Sequence, residues 1–138
     1  MSFTGPFEDR LAIHELIATY ADAIITRNGD DWIGTWAEES EWRLPLIPGF
    51  ERIVGRDAIY DTWKQSMDIY PEMLAMSLLG MLKVDGDTAV GRAYPREMII
   101  DREAGTSSTD FGRYDDEYVK QDGVWLFKIR SHTILYQG

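Results

Sequence analysis

Apolar positions change their spacing about halfway along the chain, and the change divides it into two kinds of structure. Over residues 8–27, Leu11, Ile13, Leu16, Ile17, Tyr20 and Ile24 recur at three- and four-residue steps, which predicts an amphipathic helix ended by Asn28-Gly29. A second short helix is expected at 30–39, with Asp30 as cap and Trp32, Ile33 and Trp36 on its buried side. Glu41-Trp42-Arg43-Leu44 reads as a short strand closed by Pro45 and Pro48. A third helix, 57–69, follows Gly55-Arg56, carries Ile59, Trp63, Met67 and Tyr70 near one stripe, and is stopped by Pro71. Beyond it everything reads as strand: 73–84, 88–101, 109–121 and 124–136, with turns at Asp85-Gly86 and Asp122-Gly123. Helices first and an antiparallel meander afterwards is an α+β order. A strongly curved sheet folded over helices leaves a concave space at its open end.

The last hairpin holds the densest chemistry. Period-two alternation puts Tyr114, Asp116 and Tyr118 on one face, and Arg113, Asp115 and Glu117 on the other, which reads as the solvent side. A carboxylate carried inward must be paired, hydrogen-bonded or functional. In the returning strand, Trp125, Phe127 and Ile129 have the opposite parity to Arg130 and His132. Both sets face one core only if a bulge changes the parity; otherwise Trp125 and Phe127 pack outward against another subunit.

Totals narrow the function classes. The chain has 138 residues, enough for one domain with a proper core, and a net charge of -10. That charge argues against nucleic-acid and anionic-membrane partners. There is no cysteine, and the two histidines, His14 and His132, lie far apart, which argues against a dedicated transition-metal site. No glycine-rich phosphate loop and no serine nucleophile elbow is present. Met1-Ser2-Phe3-Thr4-Gly5-Pro6 lacks the marks of a signal peptide, so a cytoplasmic protein is expected.

Read in order, the chain shows Tyr20-Ala21-Asp22, Asp31-Trp32, Trp36, Trp42, Gly55-Arg56-Asp57-Ala58-Ile59, Val84-Asp85-Gly86-Asp87-Thr88-Ala89, Gly112-Arg113-Tyr114, Glu117-Tyr118 and Asp122-Gly123-Val124-Trp125. Over nearly its whole length it resembles the SnoaL-like branch of the nuclear transport factor 2-like superfamily, near the scytalone dehydratases and hexachlorocyclohexane dehydrochlorinases. The resemblance implies a cone: a curved antiparallel sheet wrapped round N-terminal helices, with a deep apolar pocket. It also implies a homo-oligomer, dimer or trimer, and cofactor-free chemistry on small cyclic molecules. The departures are equally informative. Active members place an acid late in the first helix, where this chain has Ile24-Ile25, and a histidine where it reads Met73-Leu74-Ala75-Met76-Ser77-Leu78. Scytalone dehydratase has another histidine near the position of Ile99. The family's histidine–aspartate dyad is therefore absent.

Four residues are candidates for chemistry. His132, the one histidine in the sheet, suits general acid–base work; the alternative is a partly exposed strand histidine or one at a subunit contact. Asp116 would form a charge-assisted pair with Arg130 or orient His132, or else belong to a solvated cross-strand pair. Arg130 matches a pocket arginine of the dehydrochlorinases and would stabilise an anion or carbonyl. Tyr20 would offer a hydroxyl, or be an ordinary core tyrosine. Asp22, rotated about 200° from Tyr20 on a helix, faces away, and His14 lies off the stripe. Trp36, Trp63, Met67, Met76, Tyr94, Met98 and Tyr114 are candidates for the lining of an adaptable apolar pocket, with Met73 and Met81 as further methionines, or simply for core. Three functions stay open: a cofactor-independent lyase or isomerase acting on a small hydrophobic ring compound, a non-catalytic binder of an apolar molecule, and an assembly module built on the outer face of the sheet.

Overall fold

The computed structural model describes residues 1–138, and its element order follows the switch in hydrophobic spacing. A short β1 (Phe3–Thr4) precedes α1 (Phe7–Thr26) and a single-turn α2 (Gly29–Ile33). After β2 (Trp36–Arg43) and β3 (Ile53–Val54) comes α3 (Arg56–Ile69). Four long strands complete the chain: β4 (Glu72–Asp85), β5 (Thr88–Asp101), β6 (Thr106–Gln121) and β7 (Val124–Gln137). They form one seven-stranded, unclosed sheet in the order β1-β4-β5-β6-β7-β2-β3. No helix is long and apolar enough to cross a membrane.

The sheet curls over α1 and α3. Ile13, Leu16, Ile17, Tyr20, Ala23 and Ile24 form the buried stripe of α1, at the three- and four-residue steps of its sequence. Ile59 and Trp63 do the same for α3. Each leucine or isoleucine of these stripes, removed from water, contributes roughly 1.5–3 kcal/mol. Aromatic residues fill the closed end: the Trp32 and Trp63 rings stack 4.9 Å apart, and Trp36 lies 5.6 Å from Phe127.

Two expectations shift here. The helix expected at 30–39 stops at Ile33, and Trp36 begins a strand instead. The Asn28 side chain accepts from the Asp31 backbone N–H and starts the turn, so the residue expected to end the first helix caps the second. From Trp36 the chain pairs in parallel with β7, with Trp36 opposite Phe127 and Trp42 opposite Arg130. Sheet pairing outweighs the local helical spacing.

The parity conflict in β7 is resolved by a bulge. Glu117 pairs with Ile129, but its neighbour Tyr118 pairs with Phe127, so Lys128 is the extra residue. Trp125 and Phe127 on one side of it, and Arg130 on the other, all turn inward and are buried. The β6–β7 hairpin closes through Asp122 and Gly123, both with positive φ (50° and 78°), as the tightest two-residue turns require.

Candidate functional site

At the open end of the curl lies a cavity of about 400 Å³. Tyr20 and Ile24 reach it from α1, and Trp63, Ser66 and Met67 from α3. The sheet supplies Trp42, Met73, Glu97, Ile99, Asp110, Tyr114, His132 and Ile134, and the loop Leu44–Ile47 forms part of the rim. Leu46 and Ile47 are exposed there, two apolar side chains at the entrance.

His132 is half-buried in the wall, directly across from Tyr114, with the two rings 4.9 Å apart. Its ring fits because residue 112 is glycine: a Cβ there would stand 2.5 Å from His132 Nε2. Burial lowers the imidazole's pKa, the Arg130 charge lowers it further, and Asp110 opposes both. The ring is therefore neutral at pH 7 and able to accept a proton.

Beneath this wall sits a closed ion pair. Arg130 Nε and Nη2 donate to the two Asp116 oxygens at 2.8 and 3.0 Å, and Tyr118 Oη donates to Oδ2 at 2.9 Å. Burial pushes the Asp116 carboxyl up, while Arg130 and Tyr118 pull it back down. Burial opposes the charge on Arg130, but Asp116, with Tyr20 and Tyr114, more than offsets it and holds the guanidinium above its usual value. The guanidinium lies 3.8 Å from the Tyr114 ring centroid, 4.1 Å from that of Phe127 and 4.5 Å from that of Tyr20.

The arrangement corrects part of the expected site. Asp116 does form a charge-assisted pair with Arg130, but it does not orient His132, because both of its oxygens are occupied. Arg130 is 1% exposed and lies behind the tyrosine rings rather than open to the cavity. It acts on the cavity through its field, not by contact. Tyr20, Tyr114 and His132 are brought together at the cavity surface. Tyr114 Oη accepts a hydrogen bond from Trp42 Nε1 at 3.0 Å, which fixes the hydroxyl. Burial raises the Tyr20 pKa well above its usual value and that of Tyr114 to about 12, so both hydroxyls keep their protons.

Among the expected lining residues, Trp63, Met67 and Tyr114 face the cavity. Trp36 is fully buried in the aromatic core instead. Met76 is 64% exposed on the outer face of the sheet. Tyr94 packs over Gly80, and Met98 alternates outward between Glu97 and Ile99. These last three follow from parity: the inward set of β5 is odd-numbered, and Met76 on β4 pairs with the outward Arg96.

Glu97 was not among the expected site residues, yet it lines the cavity. It is half-buried where it lines the cavity. Burial first, and the nearby Asp110 second, raise its carboxyl to about 7, with Arg130 opposing. Its sequence signal was the alternation Ala89, Gly91, Ala93, Pro95, Glu97, Ile99, in which one acid interrupts a face of small and apolar residues.

Comparison with known proteins agrees with this architecture. Residues 6–131 match the model of the SnoaL-like domain family. No curated protein matches the chain. Among solved structures, it is similar to a type 2 hexachlorocyclohexane dehydrochlorinase (LinA), with TM-score 0.81 and 22% identity over 95% of this chain and 88% of that one. It is also similar to a scytalone dehydratase candidate from Novosphingobium aromaticivorans, with TM-score 0.84 and 19% identity over 95% and 87% of the two chains. A candidate aromatic ring hydroxylase from the same organism matches with TM-score 0.82 and 26% identity over 98% and 95%.

Proposed function

We propose that this chain, which belongs to the SnoaL-like domain family, is a cofactor-independent lyase or isomerase acting on a small hydrophobic ring compound. The observation that carries the reading is His132: a neutral imidazole in the wall of a 400 Å³ cavity, with the Tyr20 and Tyr114 hydroxyls on the same surface. In this reading His132 removes a proton from the substrate. The tyrosine hydroxyls donate hydrogen bonds to the oxygen or leaving group on which charge develops. Arg130, held by Asp116, adds a positive field beneath the tyrosines. The apolar lining, including Trp63, Met67, Met73 and Ile134, suits a flat ring and excludes water.

His132→Ala tests the mechanism. Loss of the general base is expected to lower turnover at least ~100-fold with stability largely kept. Full activity in that variant removes His132 from the mechanism. A second reading, a binder that does no chemistry, draws on Met73, an apolar side chain in the cavity wall that opens the stretch Met73-Leu74-Ala75-Met76-Ser77-Leu78, where the resemblance implies a histidine. Tight reversible binding without product, over long incubation of the wild type, selects it.

The homo-oligomer implied by the resemblance is part of the same proposal. Leu74, Met76 and Leu78 are all exposed along β4 and offer an apolar face to a second copy. Sedimentation of the wild type beside Met76→Glu tests it: a monomer in both removes this part.

A further inference from the structure

We infer that Glu97 keeps its proton beside Asp110, and that it donates this proton to an uncharged oxygen on the ligand, the carbonyl or hydroxyl oxygen of a ring compound. The inference deepens the proposed function and rests on its reading of the cavity as the substrate site.

The geometry comes from the sheet register. Glu97 and Asp110 are directly opposite on β5 and β6, and both line the cavity. Opposite residues on adjacent strands hold their Cβ atoms about 5 Å apart, and two like charges there repel. No lysine or arginine lines the cavity to neutralise them. Arg130, the nearest cation, is committed to Asp116 by two hydrogen bonds. Two adjacent carboxylates without a cation relieve their repulsion by keeping a proton.

The remaining groups around Glu97 leave that proton available. Tyr20 faces it from α1 and Tyr114 from β6, both with their own protons retained. From β7 come Arg130 and His132. On β4 the residue opposite Glu97 is Ala75, which does not titrate. Burial holds the Glu97 carboxyl at about 7, so the protonated form is well populated at neutral pH.

Chemically, a carboxylic acid and a neutral imidazole lining one cavity give it both halves of an elimination. His132 takes a proton from carbon, and that C–H electron pair becomes the new double bond. The carbon–oxygen bond breaks with its electrons on oxygen, which takes the Glu97 proton and leaves as water. The imidazolium then returns its proton to the Glu97 carboxylate through solvent, and the cycle closes. A ligand carboxylate would be a second negative charge beside this pair and is disfavoured.

Binding tests this without turnover, so the result is independent of whether His132→Ala abolishes activity. The probes are 1-indanone, a neutral ketone, and indane-1-carboxylate, titrated calorimetrically from pH 6 to 8. Wild-type affinity for 1-indanone is expected to fall about tenfold across that range, as the protonated fraction falls. Glu97→Gln, which keeps an amide donor, is expected to bind the ketone without pH dependence. Asp110→Asn moves the fall to lower pH, and His132→Ala keeps the wild-type slope. Carboxyl ¹³C NMR of the wild type, assigned with Glu97→Gln, is expected to show Glu97 titrating near pH 7. The proposal is overturned by a flat wild-type profile, by a slope that survives in Glu97→Gln, or by a Glu97 resonance titrating below pH 5. It is also overturned by failure of 1-indanone to bind, or by carboxylate binding as tight as ketone binding at pH 8.

Discussion

Removing Asp116 leaves a guanidinium buried without its anion, and the two halves of this ion pair respond differently to pH. The Asp116 and Arg130 side chains are 0% and 2% exposed and joined at 2.8 Å, with Tyr118 also donating to the carboxylate. Breaking such a pair from one side costs about 3–5 kcal/mol. That is a large part of the roughly 5–15 kcal/mol that stabilises a domain of this kind. Arginine cannot shed its proton, so the Asp116→Ala variant keeps an unpaired buried charge at every pH. Arg130→Met isolates Asp116 instead, and burial already pushes that carboxyl up. A carboxyl raised in the folded state destabilises the fold as pH climbs from its unfolded value, near 3.9, to its folded one. Arg130→Met is therefore expected to lose about 1.4 kcal/mol per pH unit across that window. Asp116→Leu combined with Arg130→Met should recover most of the stability, because nothing charged remains inside. Urea denaturation followed by circular dichroism at pH 5, 6, 7 and 8 gives all three. A cost below about 1 kcal/mol for Asp116→Ala refutes the argument. So does an Arg130→Met variant that is equally stable at pH 5 and pH 8.

Other consequences are open to direct measurement. Gly112→Ala places a methyl 2.5 Å from His132 Nε2, so the ring must swing toward solvent. Its NMR titration is expected to move up toward 6.5, the ordinary histidine value, while an unchanged titration means that the ring never needed the gap. Glu97 is raised from 4.5 to about 7, so its carboxyl destabilises the fold above that range and not below it. Glu97→Gln is thus expected to be stabilising by about 1–3 kcal/mol at pH 8 and nearly neutral at pH 4, by urea denaturation at each pH. Trp42→Phe removes the donor to Tyr114 Oη and is expected to cost about 1 kcal/mol in the same assay.

The overall order of elements was legible because it is written in local spacing. The three- and four-residue steps of α1, the alternation of the long strands and the Asp122-Gly123 turn are each decided within a few residues. The resemblance read from the ordered motifs agrees with the family match over residues 6–131. Of the candidate site, His132, Tyr20 and Tyr114 were each picked out in the sequence, on different elements, and the fold brings them to one cavity. Trp36 was misplaced because helical spacing and strand alternation look alike over a short apolar run, and only the parallel pairing with β7 separates them.

What the tertiary structure alone decided comes down to register and enclosure. The extra residue Lys128 turns Trp125, Phe127, Arg130 and His132 to one side; the strand's own parity left a bulge and an outward-packed face as alternatives, and did not place the extra residue. Asp116 meets Arg130 rather than His132 because their strands place those two opposite each other, with His132 opposite Tyr114. The Glu97 carboxyl is raised by burial and by Asp110, thirteen positions away in sequence but adjacent in the sheet. The sequence by itself determined which residues could do chemistry and what kind of fold would carry them. Which of them face one another, and in what charge state, depends on long-range pairing and on exclusion of water, and neither is a property of neighbouring residues in the chain.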